Sequence, residues 1–217
     1  MNRAASGPVA VVGAGDHGRV VLELLRAAGE DPIGFVEPGS AEPTLERLVD
    51  GLRVIGDLRV TDWLAPGTRF VVALGDNAAR RDAFDRCLDL GLQPAMAIHP
   101  AATLLAGARV EPGATVCAGA VIGVAAWVGP NAIVNTSATI DHDNRIGAHA
   151  TVAPGAHLAG RVSVGEGAYI GIGASVREGS RIGDWALVAG GAMVIDDVAA
   201  GARVAGVPAR PMAEPTR

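Results

Sequence analysis

Aromatic side chains are nearly missing from this chain of 217 residues: they make up 3%, although 49% of the residues are hydrophobic. A wide core filled by Phe and Trp is therefore excluded, and the apolar volume must come from aliphatic side chains. Cysteine is almost as scarce. Cys87 and Cys117 stand far apart in different contexts, which excludes a disulfide framework and fits two reduced structural thiols in a cytoplasmic protein. There is no basic run and the net charge is −5, so nucleic acid is a poor partner. No apolar stretch reaches membrane-spanning length, and the segment from Met1 to Pro8 lacks the apolar core of a secretion signal. These absences leave a one- or two-domain cytoplasmic protein.

What is present is a period. From Ile98 to Val194 every sixth residue is Ile, Leu or Val, through Leu104, Val116, Ile122, Ile140, Val152, Ile170 and Val188 among others. A small residue follows four positions later in most hexads, as at Ala120, Ala126, Ala132, Ala138 and Ala156. Neither an α-helix nor a plain strand repeats every six residues; a parallel β-helix does. Three hexads close a triangular coil of 18 residues with the aliphatic side chain inside. Such a prism is too narrow for aromatics, and residues 98–199 supply between five and six coils.

Residues 1–97 lack the hexads and alternate strand and helix patterns, which predicts a small α/β domain with a mostly parallel sheet. Strands are expected at Pro8–Val12, Ile33–Val36, Val54–Gly56 and Phe70–Leu74, with helices after Gly18 and over Ala78–Leu90, and a short helix opening at Thr61–Leu64. Gly13, Gly15 and Gly18 form a G-x-G-x-x-G motif between the first strand and first helix, where backbone N–H groups can meet a phosphate. Glu37 follows the second strand where a ribose-binding carboxylate would sit. A dehydrogenase competes at this point, but fewer than 100 residues precede the coils, too few for a second mononucleotide half. A ligand with one nucleotide suits the space better.

The coil region has one chemical anomaly, Ile140-Asp141-His142-Asp143-Asn144-Arg145. A His flanked by carboxylates is a general-base arrangement, and Asn144 takes the slot that neighbouring hexads give to Ala. His142 and Asp143 can act together only at a coil corner, because successive residues of a flat strand face opposite ways. One coil further on lies Gly160, whose bare N–H would suit an oxyanion. Pro154, Ile172 and Gly190 share a second 18-residue column that offers backbone groups to a long thin ligand such as pantetheine. His99, His149 and His157 do not converge with other ligands, so no metal site is expected. His17 lies inside the Gly-rich loop.

Three segments carry a resemblance: Gly13–Gly18, Ile133–Asp143 and Gly206-Val207-Pro208-Ala209-Arg210. They resemble the sialic acid O-acetyltransferase type of sugar acetyltransferases, a group that includes N-acetyltransferases of nucleotide-linked 4-amino sugars. The resemblance implies a left-handed β-helix, a homotrimer, acetyl-CoA between neighbouring coil domains and a nucleotide sugar held by residues 1–97. It implies His142 as general base, Asp143 as its partner, Gly160 as oxyanion donor, and Ile172 and Gly190 along CoA. It also assigns Gly15, Asp16, His17 and Gly75 to the sugar nucleotide, with Asn135 of the middle segment beside them. Two positions depart from the family. Thr151, counted with the cofactor residues, stands where many members have a second His. Glu37-Pro38 replaces a pair of Asp that holds uridine. A lone carboxylate can accept two N–H donors from guanine, which favours a GDP-sugar, GDP-perosamine being nearest, over a UDP-sugar. The alternatives are O-acetylation of a free sugar and a non-enzymatic solenoid scaffold. A trimer is also expected because a shallow corner site needs a second wall, and because Ala-rich slots would admit another protomer closely.

Overall fold

The computed structural model describes residues 7–39, 47–59 and 65–212. The helix expected at Thr61–Leu64 lies outside them. The chain divides into two compact units between Pro100 and Ala101.

The first unit is a six-stranded sheet in the order β3-β4-β2-β1-β5-β6. Its elements are β1 (Val9–Val12), α1 (Asp16–Ala27), β2 (Pro32–Glu37), β3 (Leu48–Val49), β4 (Leu52–Asp57), β5 (Arg69–Val72), α2 (Asn77–Asp89) and β6 (Gln93–Pro94). β1 is buried along its whole length and pairs in parallel with β2 and β5, as its unbroken apolar run requires. α1 turns Val21, Leu22, Leu24 and Leu25 inward. Val12, Val36, Phe70, Val72, Phe84 and Cys87 share one core cluster. The antiparallel β3–β4 hairpin was not foreseen, although Asp50-Gly51 carries its signal: both have positive φ, 45° and 79°, as a tight two-residue turn demands. From β1 the chain moves to β2 and β4 on one side, then returns to β5 on the other. β1 and β5 therefore flank the switch point of the sheet, where ligands of such folds bind beyond the strand ends.

The second unit is the expected coil. Strands pair in parallel with partners 18 residues apart, as in Thr115↔Ile133, Thr139↔His157 and Trp127↔Arg145. One face stacks six strands, starting at Thr103, Val121, Thr139, His157, Ser175 and Met193; another stacks five. The aliphatic series is buried from Val116 to Val194, whereas Leu104, at the start of the stack, is 41% exposed. The period identifies inward positions but not which coil is terminal. Every corner from Gly107 to Gly191 turns on a residue in the left-handed region, Gly in many hexads, but Ala125, Ser137, Asp143 and Arg161 in others. Gly123, Gly147 and Gly165 have a different reason to be glycine: a Cβ on any of them would lie within 2.7 Å of the next coil's backbone. Ala120, Ala126, Ala132 and Ala138 are fully buried in their own coil. They do not present a surface to another protomer, so that part of the trimer expectation fails.

Candidate active site

The chemistry-bearing hexad forms a corner. Strand Thr139–Ile140 ends there, and the Asp141 carboxylate accepts the His142 N–H at 2.7 Å. Asp143 adopts φ 57°, which swings its carboxylate to 2.9 Å from His142 Nδ1. A carboxylate only accepts, so in the neutral ring the proton sits on Nδ1 and the lone pair on Nε2. The pair is open to solvent, with side chains 41% and 57% exposed. Gly160 lies directly beneath the ring: a Cβ there would be 2.4 Å from His142 Nε2. Gly160 N–H enters no backbone hydrogen bond among the described residues, while its carbonyl accepts from Gly179.

Asn144 has a different role from its neighbours. It is fully buried; Nδ2 donates to the carbonyls of Asp141 (2.8 Å) and Ala159 (2.9 Å), and Oδ1 accepts from Val162 N–H (3.1 Å). It staples the His142 corner to the Gly160 corner and touches no ligand position. The amide in an alanine slot is thus a support for the site.

Beside this corner a groove of about 630 Å³ runs over the face bearing Thr139, His157 and Ser175, with Asp141, Arg177 and Glu178 along it. His157 Nδ1 meets Thr139 Oγ1 at 2.8 Å. None of the cofactor residues expected from the sequence lines this groove. Ile172 and Gly190 stack at the corner on its far side, where Gly191 N–H donates to the Ile172 carbonyl; Ile172 is 64% exposed. Thr151 sits on the next face and is buried, 5% exposed. Asn135 ends the neighbouring strand on that face and accepts from Thr136 N–H at 2.8 Å, away from His142. The groove was missed because outward strand positions repeat with the same spacing as corner positions.

In the first unit the three glycines of the motif divide by function. A Cβ on Gly18 would meet the Gly13 carbonyl at 2.1 Å, and one on Gly13 the Ala73 carbonyl at 2.8 Å. Gly15, the cap of α1, and Gly75, beyond β5, have nothing within 4 Å. Two glycines thus close the turn, while Gly15 and Gly75 leave room at the switch point. Asp16 opens α1 and is exposed. His17 is held down to a pKa of about 4 by burial and by the charge of Arg80, so its ring is neutral. Arg80, fully buried, was not anticipated. It reaches back from α2 to donate to the carbonyls of Leu74 (3.0 Å) and Gly75 (3.4 Å) and to Asn77 Oδ1 (2.8 Å), and burial lowers it to about 10. It clamps the Leu74–Asn77 turn. Glu37 is engaged by Arg47 at 3.3 Å, and Arg47 also donates to the Ala14 carbonyl. The Glu37–Arg47 pair braces the Gly-rich loop. Pro38 lines a separate cavity beyond the strand ends.

Both thiols, Cys87 and Cys117, are buried and unpaired by disulfide; burial pushes them up to about 12 and about 11. No metal-binding group of His, Cys, Asp or Glu occurs among the described residues, and none of their helices is long and apolar enough to cross a membrane.

Residues 8–87 match the PglD N-terminal domain family. No curated protein matches the chain. Among solved structures, the GDP-perosamine N-acetyltransferase of Caulobacter crescentus is 38% identical, with TM-score 0.89 over 97% of this chain and 99% of that one; it is a histidine-to-alanine mutant in complex with CoA and GDP-perosamine. The acetyltransferase domain of PglB from Neisseria gonorrhoeae, in complex with acetyl coenzyme A, is 35% identical, with TM-score 0.88 over 96% and 100%. WeeI from Acinetobacter baumannii, 24% identical with TM-score 0.83 over 95% and 100%, shares the fold. With more than a third of its residues shared over nearly its whole length, the chain belongs to this family of sugar acetyltransferases, acyltransferases built from a PglD-type N-terminal domain and a left-handed β-helix.

Proposed function

We propose that the chain moves acetyl from acetyl-CoA to the 4-amino group of a nucleotide-linked 4-amino-4,6-dideoxy sugar, with GDP-perosamine the favoured acceptor. The observation that carries this reading is the His142–Asp143 pair held over bare Gly160. The neutral amine attacks the thioester carbonyl carbon while His142 Nε2 takes its proton. The oxyanion faces the Gly160 N–H. The tetrahedral adduct then collapses, the C–S bond breaks, and the CoA sulfur leaves with the proton from His142. Asp143 keeps Nδ1 protonated and stabilises the imidazolium in between. The nucleotide sugar lies at the β1/β5 switch point against Gly15, His17 and Gly75, and the donor arm reaches the corner along Gly160, Ile172 and Gly190. The exposed His142 corner needs a second wall to exclude water, and a homotrimer supplies it.

The test is steady-state transfer with acetyl-CoA and GDP-perosamine, alongside melting curves with GDP, UDP and dTDP. Turnover of the GDP-sugar and a melting shift with GDP support the assignment. Turnover of a free sugar with no shift for any nucleotide would replace it by O-acetylation. Absence of CoA binding in isothermal titration would leave only a scaffold. Light scattering at micromolar concentration should give the mass of three chains, and a fully active monomer would refute the shared wall.

A further inference from the structure

One coil beyond the His142 corner, the position of Asp143 is taken by a residue of opposite charge. Asp143 and Arg161 are 18 residues apart in the same corner column, both in the left-handed region, with φ 57° and 59°. Coils stack at the strand spacing of about 4.8 Å, so the two side chains leave the coil one above the other. An acid and a base stacked in this way are expected to pair. They do not. The Asp143 carboxylate lies 2.9 Å from His142 Nδ1, and the Arg161 guanidinium goes to Glu178 instead. We propose that Glu178 is a positioning residue: it holds Arg161 away from Asp143 and so keeps that carboxylate on His142. The inference rests on the reading of His142 as general base and deepens it.

Glu178 is placed for this task. It continues the column of His142 and Gly160, one coil beyond Arg161, and so offers the guanidinium an acid on the side away from Asp143. The Arg161 backbone has no freedom to choose, because its N–H donates to the His142 carbonyl at 2.9 Å. Only the side chain can go either way. Asp143, Arg161 and Glu178 are each more than half exposed. Exposed ion pairs are weak, so removing the charge at 178 is enough to release Arg161 to the other acid.

The consequence lies in which nitrogen of the ring carries the proton. A neutral imidazole can take a proton at Nε2 only while Nδ1 holds the other one. The Asp143 carboxylate fixes that tautomer by accepting from Nδ1. A guanidinium on Asp143 would bring donors of its own and neutralise the carboxylate, which weakens its hold on the ring. Part of the ring population would then carry its proton on Nε2, and that form has no lone pair to offer the attacking amine.

Heteronuclear NMR of the ring nitrogens of the full chain reads the tautomer without any substrate, and His142→Ala assigns the His142 signals by their loss. The deprotonated wild-type ring should carry its proton on Nδ1. Glu178→Gln should move the ratio toward the Nε2–H form and lower kcat for acetyl transfer roughly two- to five-fold, the scale of one exposed ion pair. Adding Arg161→Met to Glu178→Gln should restore both, since no guanidinium is left to compete. Both positions are on the surface, and an unchanged melting temperature shows that each variant folds. A tautomer ratio that Glu178→Gln leaves untouched, or a change that Arg161→Met does not reverse, overturns the proposal. A tautomer shift at unchanged kcat supports the placement of Arg161 by Glu178 and overturns the general-base reading instead.

Discussion

Replacing Gly160 with alanine adds one methyl group to the floor under His142. That carbon would sit 2.4 Å from Nε2 and 2.5 Å from Cε1, where ordinary contacts begin at 3.4 Å. The ring must therefore move by about 1 Å, or swing out to solvent, and misplacement on that scale costs about 10²-fold in rate. The fold should not suffer. Gly160 is not in the left-handed region, so alanine fits its backbone, and His142 is already 41% exposed and able to turn away. The measurement is kcat from CoA thiol release, with the melting temperature recorded on the same sample. The expected result is kcat down by roughly 10²-fold at an unchanged or slightly raised melting temperature. The double variant with His142→Ala should lose less than the product of the two single losses, because the clash with the ring is gone and only crowding at the Gly160 N–H remains. A Gly160→Ala enzyme with wild-type kcat would refute the reasoning, since the observed ring position could not then be the working one.

His142→Ala should lower kcat by roughly 10²-fold or more with the fold intact, and Asp143→Asn should cost less because it tunes the base without replacing it; steady-state kinetics checks both. Asn144→Ala leaves two carbonyls and one N–H of adjacent coils without their partner, so denaturant unfolding should show a loss on the order of 3 kcal/mol. His17 gives a pH signature. Its folded pKa, about 4, lies below the unfolded value of 6.5, so its contribution is complete above 6.5 and is lost as pH falls to about 4. The size is on the order of 3 kcal/mol, and His17→Asn should flatten the fall in unfolding free energy across that window.

The hexad period is a local property of the chain, and it carried the coil architecture, the inward aliphatics and the 18-residue stacking that puts Gly160 over His142. The strand and helix patterns of the first unit were legible for the same reason: β1, β2, β4, β5 and both helices start and end close to where their apolar runs do. The β3–β4 hairpin was not read, although Asp50-Gly51 carries its signal. What periodicity cannot express is direction and partnership. Only the tertiary structure turned Asn144 inward as a staple, because its three partners come from both its own corner and the next coil. Only packing sent Arg80 back beneath Leu74 and Gly75, and only the meeting of distant segments gave Glu37 to Arg47. The sequence singled out a His beside a carboxylate; the left-handed turn at Asp143, imposed by the corner, made them a pair.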